Sequence, residues 1–102
     1  MALQKGIEKK EIIETLTSWG VRVGVNTLKE WERVGAIAPA LYRNSRKTIY
    51  PEYALLEAYR NCLLRERGYI REKQDIARLR KKLKKPYKSK TDVEKRWDLR
   101  DG

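Results

Sequence analysis

Glycines at positions 20, 35 and 68 divide most of this 102-residue chain into short segments. In the segments before these glycines, apolar residues recur three or four positions apart, which is the spacing of one helix face. A glycine after the last turn readily adopts the left-handed backbone conformation and ends a helix there. The chain is therefore predicted to be a mainly α protein with about four helices, too small to contain two separate cores.

Two amphipathic helices joined by a short connection are predicted near the start of the chain. Apolar residues at i, i+4 and i+7 place the first helix over residues 8–19. In the second, Thr27 and Glu30 have the spacing of a capping box, which predicts Thr27 as the N-cap and Gly35 as the stop. This arrangement is typical of a helix-turn-helix, although ordinary helical hairpins share it. The residues predicted to lie in the core are Trp19, Leu28 and Trp31.

A small β-hairpin is predicted directly after the second helix. Two short segments rich in Tyr, Leu, Ile and Thr, residues 41–43 and 48–50, flank a polar and basic turn. A third helix is predicted to begin at Pro51, because proline suits the first helical position, and to continue to about Arg67. Its predicted buried stripe consists of Leu55, Tyr59, Cys62 and Leu63, with Leu56 beside it.

Positive charge dominates the chain, with 25 Lys+Arg against 14 Asp+Glu and a net charge of +11. Residues 78–90 hold eight basic residues and no acidic one, interrupted by one proline. Like charges at this density need solvent or a polyanion. The proline should end any helix that enters the run, so the sequence predicts a domain over residues 1–85 and a basic tail over residues 86–102. Thr91 and Glu94 form a second capping box, which allows one short helix in this tail. The basic excess favours nucleic acid as the partner.

Composition also excludes several classes of protein. Without histidine there is no imidazole base or histidine metal ligand, and a single cysteine allows neither an internal disulfide nor a cysteine zinc site. Charged residues make up 38% of the chain, and its opening has no signal-peptide apolar run. There is no Gly-rich phosphate loop and no serine elbow. We therefore expect a cytoplasmic, nucleoid-associated protein that is not an enzyme and has no cofactor, metal or membrane partner.

Residues 25–37 read Val-Asn-Thr-Leu-Lys-Glu-Trp-Glu-Arg-Val-Gly-Ala-Ile. This segment resembles the pattern Val-x-Thr-(Ile/Leu)-Arg-x-(Tyr/Trp)-Glu-Arg-x-Gly-x-(Leu/Ile) of the MerR family DNA-binding domain, with Lys29 as a close substitute for arginine. Residues 48–52 and the junction at residues 68–70 also resemble the family, so the likeness covers roughly residues 10–80. It includes the family's shorter relatives, the phage-type excisionases and small winged-helix regulators.

The resemblance implies a MerR-like winged helix-turn-helix in which the hairpin is a two-stranded wing. The chain departs from the family at Glu30, where the first of two paired tyrosines is usual, and at Thr48, where a wing arginine is usual. One phosphate contact is therefore expected to move to Arg46 or Lys47. Full MerR regulators continue into a long dimerisation helix and an effector domain, which this sequence lacks, so no small-molecule effector is expected.

Three sets of residues are expected to contact DNA. The recognition-helix set is Asn26, Thr27, Lys29, Glu30 and Arg33. The wing set is Tyr42, Arg43, Arg46 and Lys47, and the phosphate-binding tail set is Lys81, Lys82, Lys84, Lys85, Lys88 and Lys90. Lys29 and Arg33 would donate to guanine in the major groove, and Arg46 would enter a narrow minor groove. As an alternative, Thr27 and Glu30 serve only as caps, and Arg33 pairs with Glu32 or another nearby acid.

The leading functional prediction is a small transcriptional regulator that binds double-stranded DNA in a sequence-specific way. A single recognition helix and wing cover few base pairs, so a homodimer or cooperative assembly on DNA is expected. An excisionase-like or partition-type factor that bends DNA would use the same residues and remains an alternative. An RNA- or ribosome-associated basic protein is an alternative from another class, although single-strand readers usually expose aromatic residues for stacking.

Overall fold

A computed structural model describes residues 6–66 and 87–97 of the chain. The elements in chain order are β1 (Gly6–Glu8), α1 (Lys9–Ser18), α2 (Val25–Arg33), β2 (Tyr42–Arg43), β3 (Thr48–Pro51), α3 (Tyr53–Glu66) and α4 (Lys90–Trp97). This part of the chain is mainly helical with one small antiparallel sheet, which confirms the predicted fold class at that level. None of its helices is both long and apolar enough to cross a membrane.

The sheet has the strand order β1-β3-β2, with β3 in the centre. Strands β2 and β3 form the predicted hairpin, in which Tyr42 lies opposite Ile49. The sequence did not predict β1, which pairs with the other edge of β3 and places Ile7 opposite Tyr50. A side chain on Gly6 would collide with that of Ile49, so the close approach of the two strands requires glycine there. The hairpin is thereby extended into a three-stranded sheet.

Helix α1 confirms the first predicted helix. Ile12 and Leu16 are fully buried, and Gly20 follows the helix with a φ of 88°. Trp19, the C-cap residue, is partly buried. Its ring meets that of Tyr59 edge-on, with centroids 5.1 Å apart, so it packs against the core and is not fully buried in it.

Helix α2 ends where the sequence predicts and begins earlier. Gly35 follows it with a φ of 82°. The predicted N-cap was wrong, because Gly24 is the N-cap residue and Thr27 lies inside the first turn. The Leu28 N–H donates to the Gly24 carbonyl at 3.1 Å, so the backbone begins the helix without a side-chain cap. Trp31, on the inner face of the helix, is buried as predicted.

Helix α3 begins at Tyr53, and the prediction that Pro51 opens it was wrong. Pro51 ends β3 opposite Gly6, so the added strand β1 prolongs the sheet through the position that local sequence assigns to a helix. The helix is also buried more widely than a single stripe. Leu55 and Leu63, which the sequence placed in the buried stripe, are only half-buried. Other faces of α3 are buried because the helix contacts α1 and the sheet as well as α4. Its buried residues are Ala54, Leu56, Glu57, Ala58, Tyr59, Arg60, Asn61, Cys62 and Leu64.

Three buried polar side chains of α3 hold the segment that leads from α2 to the hairpin. The Ala38 N–H donates to Glu57 at 2.8 Å. Arg60 and Asn61 both donate to the Ala36 carbonyl, each at 3.2 Å. Buried polar groups need such partners, and within residues 6–66 and 87–97 no buried side-chain nitrogen or oxygen lacks one. These hydrogen bonds therefore fix the position of residues 36–38, which lead into the hairpin.

Residues 87–97 pack against α3 and share its hydrophobic core. Val93 is fully buried and Tyr87 nearly so. The short helix that the sequence allowed is present, but its cap is Ser89 and not Thr91. The Asp92 N–H donates to Ser89 Oγ at 3.2 Å. Asp92 in turn accepts the Lys88 N–H at 3.0 Å. The boundary at residue 86 stays a prediction, and two residues beyond it, Tyr87 and Val93, lie in the hydrophobic core.

Candidate nucleic-acid interface

Helix α2 and the hairpin border two shallow depressions that adjoin each other. The helix depression is lined by Lys29, Glu30, Glu32, Arg33, Pro39 and Arg43. The wing-tip depression is lined by Lys9, Lys29, Arg43, Asn44, Ser45, Arg46, Lys47 and Thr48. Lys29 and Arg43 line both, so most of the predicted recognition-helix and wing residues are brought to one region of the surface.

Glu32 connects α2 to the hairpin. Its carboxylate accepts the Ala40 N–H at 2.9 Å and the Tyr50 hydroxyl at 2.8 Å. It also accepts a hydrogen bond from the Arg43 guanidinium. Three donors from the loop, β2 and β3 thus converge on one carboxylate, whose side chain is only 12% exposed. The angle between helix and hairpin is set by this residue, which the sequence did not single out as functional.

The electrostatics of this contact keep the ions paired. Burial acts to raise the pKa of Glu32, but the hydrogen bonds from Ala40, Tyr50 and Arg43 outweigh it and lower the pKa. The pKa of Arg43 is raised, chiefly by its hydrogen bond to Glu32. Burial, followed by the neighbouring Glu32 carboxylate, raises the pKa of Tyr50 to about 12. At neutral pH the carboxylate is therefore ionised and the tyrosine keeps the proton that it donates.

Arg33 and Glu30 form an ion pair along α2. Arg33 Nε donates to Glu30 Oε1 at 2.9 Å, and Arg33 Nη2 donates to the same oxygen. The predicted capping role of Glu30 is wrong, because Gly24 and not Thr27 is the N-cap residue. The alternative that Arg33 pairs with a nearby acid is confirmed. The Arg33 side chain is still 69% exposed. It can offer its remaining N–H groups to a ligand while Glu30 holds it.

Lys29 differs from the two arginines in its pairing. It is exposed on α2, next to the buried Leu28. Among the described residues it forms no ion pair or hydrogen bond through its side chain, unlike Arg33 and Arg43. A lysine ammonium with no protein partner is free to donate to a base or a phosphate. Asn26 and Thr27 lie in the first turn of the same helix, exposed and half-buried respectively.

The tip of the hairpin is held by Asn44. Its side-chain oxygen accepts the backbone N–H groups of Arg46 at 2.8 Å and of Lys47 at 2.7 Å. Its side-chain nitrogen donates to the Tyr42 hydroxyl at 2.9 Å. Lys47 Nζ lies 3.1 Å from Glu8, so β1 also supports the tip. Tyr42 is 54% exposed, which leaves its ring open to a partner.

Most of the predicted tail set lies outside the described residues, namely Lys81, Lys82, Lys84 and Lys85. Lys88 is exposed. Lys90 is engaged within the fold, with its ammonium 6.0 Å from the Trp19 ring centre and 5.7 Å from that of Tyr59. It also lies 3.7 Å from the Glu94 carboxylate. These contacts satisfy Lys90 without a phosphate.

The Cys62 side chain is buried and uncharged, unlike the charged residues of this surface. It is fully buried, and burial raises the pKa of its thiol to about 11. At neutral pH it is protonated and behaves as a small apolar side chain.

No protein family, curated protein or solved structure matches this chain. What the described surface offers is a helix and a hairpin held at a fixed angle. Two guanidinium groups on it are oriented by carboxylates. Beside them, the ammonium of Lys29, which forms no ion pair within residues 6–66 and 87–97, can donate hydrogen bonds. Such a surface can bind an extended polyanion and can read hydrogen-bond acceptors on it.

Proposed function

We propose that this protein binds double-stranded DNA in a sequence-specific way, through a MerR-like winged helix-turn-helix, and acts as a small transcriptional regulator. One observation carries the proposal above the others. Glu32 fastens α2 to the hairpin, and this places Lys29 and Arg43 where the two depressions meet. A helix and a wing held in this way can contact the same face of one duplex.

In the proposed complex α2 occupies the major groove, which is about 12 Å wide and admits one helix. Lys29 donates to guanine O6 or N7, and Arg33 offers the N–H groups that Glu30 does not hold. The hairpin lies along the adjacent backbone, with Arg46 directed to the phosphates or a narrow minor groove. Arg43 contacts a phosphate from an orientation that Glu32 sets. Base edges are thus read from the helix, and the wing fixes its register.

A single helix and wing make a small interface, so we propose that two or more copies bind together or cooperatively. The protein would then associate with the nucleoid and would perform no chemical step itself. An architectural role in recombination or partition would use the same contacts and would differ in strongly bending its DNA. Measurement of the bend by circular permutation of the site separates these two versions of the proposal.

The proposal is tested by selecting bound duplexes from a random pool at physiological salt. We expect a defined motif, whose half-site spacing reports the number of copies bound. Lys29→Ala should lose about 1–3 kcal/mol of binding free energy on the selected site and relax preference at one base pair. Lys95→Ala, which removes an exposed lysine on α4, is the matched control and should change neither. Enrichment of no motif by the unmodified protein would contradict the proposal.

A further inference from the structure

We infer that the wing-tip depression is a phosphate-binding cleft to which a third element, the start of α1, contributes through Lys9. This inference rests on the proposed function and extends it to a residue outside the helix-turn-helix and the wing. The cleft would contact the phosphate backbone of DNA and not its bases, because a phosphate contact gives affinity and register without sequence information.

The composition of the cleft is the first observation. Five cationic side chains line it, from α1, α2 and the hairpin, and no acidic residue does among the described residues. Three short elements that are distant in sequence therefore direct the same charge to one concavity. Like charges this close destabilise one another unless an anion lies between them.

The pairing of these five cations is the second observation. Arg43 is held by Glu32, and Lys47 is held by Glu8 at 3.1 Å. The other three, Lys9, Lys29 and Arg46, make no ion pair within the described part of the chain. Two donors are thus pre-oriented and three keep their full hydrogen-bonding capacity. Ser45 and Thr48 add hydroxyl groups to the same lining.

The position of Lys9 is the third observation. It is the first residue of α1, where the helix dipole disfavours a cation by a few tenths of a kcal/mol. Its neighbour Lys10 points elsewhere and lies 3.9 Å from Glu14, four residues later on the same helix. Helix stability therefore explains Lys10 better than Lys9. A phosphate bound in the depression would explain Lys9.

The chemistry of the lining favours phosphate. Guanidinium, ammonium and hydroxyl donors together match the tetrahedral oxygens of a phosphate group. That group can come from a duplex backbone or from a free phosphate compound. We assign it to the duplex, because Lys29 and Arg43 also line the helix depression in which the bases are proposed to be read. Duplex DNA carries about one charge per 1.7 Å of axis, which suits a dense group of cations.

Lys9→Gln and Lys10→Gln form a matched pair of adjacent lysines, one inside the cleft and one outside it. Affinity for a selected duplex is measured by fluorescence anisotropy over roughly 50 to 200 mM salt. We expect Lys9→Gln to make the slope of log affinity against log salt less steep by about one unit. The advantage of the unmodified protein over this variant then shrinks by about fourfold across that range. Lys10→Gln should keep the unmodified slope, and thermal unfolding confirms that both variants are folded.

A second arm locates the contact on the DNA. Single phosphates of the duplex are replaced by neutral methylphosphonates, one position at a time. At one position the replacement should weaken the binding of the unmodified protein to the duplex. The same replacement should leave the affinity of Lys9→Gln unchanged. If no position behaves in this way, or if the two lysine variants have equal slopes while Arg46→Gln still weakens binding, Lys9 does not contact the duplex backbone, and the assignment of its phosphate to the duplex is wrong while the proposed function stands.

A third arm separates the sources of the phosphate. Inorganic phosphate is titrated at constant ionic strength while backbone NMR signals of residues 44–47 are followed. Saturable shifts that Lys9→Gln abolishes, in a protein whose duplex affinity does not depend on Lys9, would support the cleft and assign it to a free phosphate. Failure of the unmodified protein to bind any duplex would overturn the proposed function separately. If poly-glutamate displaced the bound duplex as effectively as competing duplex does, phosphate recognition would be contradicted.

Discussion

The surface formed by α2 and the hairpin and the interior formed by α3 and α4 are both held by polar contacts, but the contacts differ in burial. On the surface, Arg33 and Arg43 keep 69% and 54% of their side chains exposed while they pair with glutamates. In the interior, Arg60 is fully buried and bonded to Asn61 and Ala36. Exposed ion pairs contribute little to stability, whereas truncating a buried, hydrogen-bonded side chain leaves a cavity and unsatisfied polar groups and is costly. The surface is therefore suited to binding and the interior to holding that surface in place.

The largest effect is expected from Arg60→Ala. It removes the donor to the Ala36 carbonyl and the guanidinium that lies 5.7 Å from the Tyr87 ring centre. The truncation leaves a large cavity and unsatisfied polar groups, so we expect the free energy of unfolding to fall by about 3–5 kcal/mol, measured by urea denaturation. Arg22→Ala, at an exposed arginine, is the control and should stay within about 0.5 kcal/mol. A small effect of Arg60→Ala would show that the buried polar contacts of the interior contribute no more to stability than the exposed pairs of the surface.

Val93→Ala tests whether α4 belongs to the interior. Val93 is fully buried in the core cluster, so its truncation should cost about 2 kcal/mol through lost burial and the cavity that remains. Thermal and urea unfolding measure the change. Thr91→Ala, two residues away and exposed, should be nearly neutral. Equal effects of the two substitutions would show that residues 87–97 do not pack as described.

Glu32→Gln tests the contact between helix and hairpin. The amide can still accept from Ala40, but the charge that pairs with Arg43 is gone. Because the pair is partly exposed, we expect a loss of about 1–2 kcal/mol in unfolding free energy. Binding to a selected duplex should weaken more than for Glu11→Gln, an exposed carboxylate on α1. Unchanged binding would mean that Glu32 does not orient Arg43 for DNA.

The same residue predicts a pH dependence of stability. The pKa of Glu32 is lowered on folding, so the unfolded chain takes up its proton first as pH falls. Its contribution is fully present above the ordinary pKa of about 4.5 and is lost as pH falls through the lower folded value. Between about pH 5 and 3, the unfolding free energy of the unmodified protein should therefore fall more steeply than that of Glu32→Gln. Parallel curves would contradict this assignment.

The smallest effect is expected at the start of α4. Ser89→Ala removes the acceptor of the Asp92 N–H and should cost about 1 kcal/mol. Thr91, which the sequence favours as the cap, makes no such bond in the described chain. Thermal melts of Ser89→Ala and Thr91→Ala compare the two positions, and a larger loss for Thr91→Ala would reverse the assignment.

Local signals predicted a large part of this fold. Helical spacing and the glycines at 20 and 35 predicted α1 and the end of α2, and β-branched and aromatic residues predicted the hairpin. These features depend on residues near one another in sequence. Strand β1 has three residues and contains a glycine, so it carries no alternation that would reveal it. Pairing with it prolongs β3 through Pro51 and delays α3. The start of α2 was missed because the backbone of Gly24 begins the helix.

The candidate site was predictable as a set of cations but not as a geometry. Residue type and position indicate that Lys29, Arg43 and Arg46 can meet a polyanion. Which of them are held by carboxylates depends on tertiary contacts, as between Glu32 and Arg43. The buried Arg60 was missed for a similar reason, because a periodicity argument assigns charged residues to the solvent face. Lys9 carries no local signal for this site, because only the fold brings the start of α1 beside the hairpin.

We propose that α2, the hairpin and the start of α1 form one DNA-binding surface, and that α3 and α4 support it. The most direct measurement is an NMR titration of the labelled protein with a duplex recovered by selection. We predict that backbone shifts change most at residues 9, 26–33 and 42–48, and little at residues 90–97. Shifts centred on α4 and the exposed side of α3, or none in the presence of excess duplex, would contradict the claim.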